Sequence, residues 1–169
     1  QAIEAKKKIL GICFGHQLIA HFFGGEAGPA SAGWGVGVQT NDLVMTHGWM
    51  GDVNQIPSQL HLVASHKDQV LKLPEGAEVF ASSDFCPVSG FTLGDAVLTI
   101  QGHPELSAEY SEALMGVRRQ LLGEDVYQAG INSLQKSTDE RLFVRWMLAF
   151  INDQAARSDQ VEVSRQRHG

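Results

Sequence analysis

The stretch KILGICFGHQLIAHFFGG, residues 8–25, carries a change of pattern in its middle. Lys8 to Ile12 predicts a short strand, because the apolar run ILGI ends at a glycine-flanked Cys13. The following HQLIAHFFGG has helical spacing, with Leu18, Ile19, Phe22 and Phe23 expected on one side and Gly24-Gly25 as the stop. The local prediction is strand, sharp turn, helix, with Cys13 at the turn.

A nucleophile works well on such a turn. Flanking glycines let the backbone take angles a side chain would forbid and leave space for a substrate, and Gly11 and Gly15 meet that need here. A helix N-terminus also favours a thiolate, and the amide of Phe14 is placed to donate to an oxyanion on an attacked carbonyl. A free cysteine is equally at home as a small buried hydrophobe, so the turn alone leaves both readings open.

A thiolate nucleophile needs a base, and QGHPE supplies a candidate. Pro104 pushes His103 into an extended conformation, where residues two apart project to the same side, so Glu105 can reach the His103 ring. A carboxylate there would fix the tautomer and stabilise the imidazolium. The preceding AVLTIQG reads as a buried strand and puts His103 at its C-terminal end, the edge where open α/β sheets carry their sites.

Between these motifs the chain is β-rich. GWGVGVQT, LHLVAS, AEVFASS, GFTLG and AVLTIQ are short strand candidates separated by turn-forming segments such as PEGA. From Ser107 the pattern turns helical: SAEYSEALMGVRRQLLG reads as one helix capped by Ser107, and TDERLFVRWMLAFIND as another that presents Leu142, Trp146, Leu148 or Ala149, and Phe150. One domain over residues 1–153 is expected, with 154–169 as a flexible tail.

The 169 residues are 43% hydrophobic, enough for one globular core, and carry 19 acidic against 13 basic side chains for a net charge of -6. The bases are scattered apart from Lys6, Lys7 and Lys8, which argues against a nucleic-acid partner. Two cysteines without CxxC spacing point to a reducing compartment, and no apolar stretch is long enough to cross a bilayer, so a soluble cytoplasmic protein without a membrane partner is expected. No phosphate-binding loop or dinucleotide fingerprint is present, and the histidines show no metal-binding pairing, so neither cofactor nor metal is expected.

With GICFGHQ, ASHKDQV and IQGHPE in this order, the chain resembles the class I (triad) glutamine amidotransferases, and within them stand-alone proteins similar to the amidotransferase half of GMP synthetase. The resemblance runs from about Lys8 to Asp153. It implies an α/β fold, a flavodoxin-like open and mostly parallel sheet flanked by helices, with a β-rich middle and a helical C-terminus. It further implies Cys13 as nucleophile, His103 as general base and acid, and Glu105 as the orienting carboxylate. The Phe14 amide would serve the oxyanion hole, Gln17 would contact bound glutamine, and Ser65, His66 and Lys67 would hold its amino-acid end. The implied reaction releases glutamate and ammonia from L-glutamine, with a synthase partner to receive the ammonia. Only twelve residues precede Cys13, where the family has several strands and a glycine-rich loop, so the front of the domain is expected to be missing.

Two other readings use the same residues: a γ-glutamyl peptide or conjugate hydrolase, and a catalytically idle relative that binds or regulates. Cys86 is expected in the core or a loop, and His16 as a helix-start residue packed near the turn. Gly102 is expected to open the wall beside His103. HGWMGDVNQIP is expected to be a loop over the active site.

Overall fold

A computed structural model of the chain describes residues 7–152; the expected tail from residue 154 lies outside the described residues. The predicted strand is β1 (Ile9–Ile12), and it leads through Cys13 directly into helix α1 (Phe14–Phe22). The further expected strands form as β3 (Gly35–Leu43), β4 (Gln59–His66), β6 (Ala77–Ser82), β7 (Gly90–Leu93) and β8 (Val97–Ile100). Two strands went unread in the sequence: β2 (Glu26–Pro29) and β5 (Asp68–Lys72) pair antiparallel as a separate ribbon. Their glycine, proline and charges carry little strand signal, and it is their mutual pairing that makes them strands.

The main sheet runs β1-β8-β7-β6-β3-β4. The α/β class is as expected, but the sheet is mixed rather than mostly parallel: among the described strands only β1 and β8 pair in parallel, and the other ladders are antiparallel. Short turns join β6 through β7 to β8, and short turns permit only antiparallel neighbours. Beyond β8 the chain meets the opposite end of the sheet, where the His103 amide donates to the Val63 carbonyl on β4 at 2.7 Å. That bridge curls the sheet and brings its two ends toward one site.

The principal core packs Leu60, Leu62, Phe80, Leu98 and Ile100 of the sheet against Phe143, Trp146 and Phe150 of helix α5, residues 140–152. Phe143 rather than Leu142 is the deeply buried partner at the start of that helix. Asp139 fastens it to the sheet, its carboxylate accepting from the His61 amide at 2.8 Å while its own amide donates to the His61 carbonyl.

The helix expected after Ser107 is capped as predicted, the Ser107 hydroxyl accepting from the Tyr110 amide, but it ends at Val117. The segment divides into α2 (Ala108–Val117) and α3 (Arg119–Leu122), and α4 (Glu124–Ser133) follows. Gly123, at φ 80, takes the positive-φ conformation that redirects the chain. Met115 and Leu122 then meet Val36 on the sheet in a second cluster.

Helix α1 buries a different side from the one its apolar residues suggested. His16 and Ala20 face the sheet, while Leu18 is 51% and Phe22 79% exposed. The close fit at the turn sets this phase: a Cβ on Gly11 would lie 2.6 Å from Ile19 Cδ1, so strand and helix approach to backbone distance there. The HGWMGDVNQIP segment forms two single turns, Gly48–Met50 and Val53–Gln55, and does not cover the Cys13 turn. Trp49 packs edge-on to Phe80, Trp146 and Phe150, and the segment lines a cavity of about 590 Å³ with Lys8 and Asp95, at the other end of β1 from Cys13. Its aromatics are drawn to the core aromatics of α5.

Candidate active site

Cys13 has φ 48 and is the one non-glycine residue at positive φ among the described residues. Such a backbone is strained by about 1–3 kcal/mol and persists only where the surroundings impose it. Here the Cys13 amide donates to the Ile100 carbonyl at 2.9 Å, and the helix begins at the next residue. The first-turn amides of α1, Phe14 included, have no intrahelical acceptor and point out of the helix beside the thiol.

Parallel pairing supplies the partners. The register sets Ile12 against Ile100, so the residues that follow, Cys13 and Gln101, come side by side at the C-terminal ends of their strands. Gln101 Nε2 lies 3.5 Å from Cys13 Sγ. Two residues on, the His103 ring lies near enough to Cys13 for the sulfur to act on its charge, and its Nδ1 is hydrogen-bonded to Glu105 Oε1 at 2.6 Å. Because a carboxylate only accepts, Nδ1 carries the proton toward Glu105, and Nε2 is the nitrogen left for the sulfur. Burial works against charge on this ring, but the neighbouring Cys13 sulfur and the Glu105 carboxylate favour it more strongly and raise the imidazole to about 9.

Of the other expected residues, Gln17 reaches the same place, its Nε2 donating to the Asp68 carbonyl at 2.7 Å and to Gln101 Oε1 at 3.1 Å. His66 is buried, donates from Nδ1 to the Asp68 carbonyl at 3.2 Å, and feels the charge of His103. Burial holds its pKa down at about 4, with the His103 charge acting in the same direction, so it is neutral near pH 7. The Ser65 hydroxyl accepts from Arg118 at the α2–α3 junction, and Lys67 is exposed. Phe14 is exposed beside the turn. Cys86 is buried, and burial pushes its thiol up, away from reactivity.

One residue that holds the site, Gln101, escaped the sequence reading, whereas His16 packs near the turn as expected. Gln101 stood inside the quoted QGHPE, and the alternation that pairs His103 with Glu105 puts it in phase with both. His16 lies fully buried beneath the turn, its Nδ1 2.8 Å from the Thr99 hydroxyl and its Nε2 donating to the Val88 carbonyl at 3.1 Å. Gly102 does not open a wall: a Cβ there would lie 2.9 Å from Leu62 Cβ, so the glycine is where the chain passes tightly against β4.

The model for the family described as glutamine amidotransferase class-I matches residues 1–115. The chain belongs to the class I glutamine amidotransferase family. It is 44% identical over 108 residues to gamma-glutamyl peptidase 3 of Arabidopsis thaliana, a match covering 62% of this chain and 43% of that protein. It is 38% identical over 120 residues to a glutamine-hydrolyzing GMP synthase subunit of Methanocaldococcus jannaschii, covering 68% of this chain and 60% of the relative. A solved glutamine amidotransferase from Thermotoga maritima superposes with a TM-score of 0.68 at 18% identity, over 90% of this chain and 64% of that one, a likeness of fold. The chain thus spans about half the length of the two curated relatives. Class I amidotransferase membership agrees with the order of motifs around Cys13 and His103. No helix among the described residues is long and apolar enough to cross a membrane.

Proposed function

We propose that this chain carries the nucleophile site of an enzyme that hydrolyses the side-chain amide of L-glutamine. The observation that supports this best is the meeting of Cys13, His103 and Glu105 at one place, with the imidazole hydrogen-bonded to the carboxylate and its charge favoured by the nearby sulfur. The Cys13 sulfur, as thiolate beside the imidazolium, attacks the amide carbon, and the oxygen gathers negative charge opposite the Phe14 amide. His103 gives its proton to the departing ammonia and becomes neutral. The γ-glutamyl thioester remains on Cys13. Neutral His103 then takes a proton from water, the hydroxide adds to the thioester carbon, and the thiolate leaves, giving glutamate and restoring the ion pair. Glu105 keeps Nδ1 protonated throughout and stabilises the charge on the ring. Gln17 and neutral His66 line the pocket for the amino-acid end, with Ser65 and Lys67 at its margin. Ammonia passes to a synthase partner.

A second reading, hydrolysis of γ-glutamyl peptides with an amine in place of ammonia as leaving group, is favoured by the likeness to gamma-glutamyl peptidase 3. The bond cleaved is of the same kind. Release of glutamate from glutamine and from γ-glutamyl dipeptides, measured side by side on the full-length protein, separates the two. Cys13→Ser and His103→Ala are expected to lower turnover roughly a thousandfold or more, and Cys86→Ser to leave it within about twofold. Equal loss from Cys86→Ser would refute the assignment, and so would labelling by a glutamine-like diazoketone that survives Cys13→Ala.

A further inference from the structure

Gln101 is 1% exposed and sits between Cys13 and Gln17. Its amide orientation follows from the groups around it. The two hydrogens of the Gln17 side-chain amide go to the Asp68 carbonyl at 2.7 Å and to Gln101 Oε1 at 3.1 Å. Gln101 must therefore present oxygen to Gln17 and its NH2 to the other side, where Cys13 Sγ stands at 3.5 Å. The backbone is pinned as well: the Gln101 amide donates to the Ser89 carbonyl at 2.7 Å, and Gly102 passes against Leu62 too closely for a side chain.

We propose that Gln101 is a positioning residue for the nucleophile, a permanent N–H donor that stabilises the Cys13 thiolate and holds the sulfur in line for attack, itself held in orientation by Gln17. It complements His103, whose donor is surrendered in each turnover, because a carboxamide neither titrates nor gives up its proton. During the thioester stage, when His103 is neutral, Gln101 keeps a donor on the sulfur that must later leave as thiolate. Gln101 itself is shielded from solvent, so little water competes for its donor from that side. The parallel register that opposes Ile12 to Ile100 places the donor there, and so ties the nucleophile strand to the strand that delivers the base.

This inference rests on the assignment of Cys13 as nucleophile, and its test needs no substrate, so its failure is distinguishable from failure of the glutamine reading. In a Cys86→Ser background, the rate of Cys13 alkylation by iodoacetamide is followed across pH for wild type, Gln101→Glu and Gln101→Met. Glu keeps the shape but replaces the donor by a negative charge, and Met fills the space without a donor. Losing one hydrogen bond to a charged group corresponds to roughly tenfold to a hundredfold, so both variants should alkylate that much more slowly at about pH 6, with the rise in rate displaced to higher pH and further in Gln101→Glu. A merely structural Gln101 would lower the melting temperature and leave the pH profile in place. Profiles that superimpose on wild type overturn the proposal; if Gln101→Glu fails to fold, the Gln101→Met profile decides alone.

Discussion

His16 makes acid the weak point of this fold. Burial is the main cause of its lowered pKa, against a carbonyl bond from Val88 that favours the charged ring, and the result is about 3 where the ordinary value is 6.5. In the unfolded chain the ring takes a proton near pH 6.5, and in the folded chain it resists until about pH 3. The unfolded state thus binds more protons between those values, and stability rises with pH across that window. The contribution is whole above pH 6.5 and is lost on acidification, at roughly 1.4 kcal/mol per pH unit. By about pH 5 the loss is about 2 kcal/mol, and by about pH 3 it nears roughly 5 kcal/mol, a large part of a domain's usual stability. His16→Gln keeps an N–H for the Val88 carbonyl but does not titrate. Urea unfolding of both proteins at about pH 7 and about pH 5 should show the variant weaker at the higher pH and the gap narrowed by about 2 kcal/mol at the lower. His66 is present in both and cancels. Parallel pH dependences for the two proteins would refute the burial argument for His16. Because this ring lies under the Cys13 turn, the same acidification should loosen the nucleophile before the rest of the sheet.

Glu105→Gln removes the charge that helps hold His103 at about 9, so the ring's titration midpoint, read by NMR of its carbon-bound protons, should fall toward 6.5; an unmoved midpoint would contradict the assigned role. The sign for stability is opposite to that of His16: the His103 contribution is whole below pH 6.5 and fades as pH rises through about 9, so the cost of Glu105→Gln should be greater at about pH 6 than at about pH 10. Gly102→Phe sets a Cβ 2.9 Å from Leu62 Cβ and should cost about 1–3 kcal/mol in thermal or urea unfolding; unchanged stability would mean that the chain can yield there.

The strand, turn and helix around Cys13 and the reach of Glu105 to His103 could be read directly, since each depends on residues within a few positions of one another. The apolar face of α1 could not. Leu18 and Phe22 looked like core, yet the helix is turned by the close contact of Gly11 with Ile19 and by a histidine that finds its partners on β8 and in the loop before β7. The loop around Trp49 misled in the same manner, because aromatic residues do not declare which aromatic cluster they will join.

From the amino-acid order alone came the strand–turn–helix around Cys13, the reach of Glu105 to His103, the α/β class and the family resemblance, because short-range periodicity and proline and glycine geometry are written locally. The tertiary structure decided that Cys13 and Gln101, 88 positions apart, lie side by side, that the sheet curls through the Val63–His103 bridge, and that β2 and β5 exist as strands. Strand register and helix rotation are set by contacts between distant segments, and no window of sequence contains both partners.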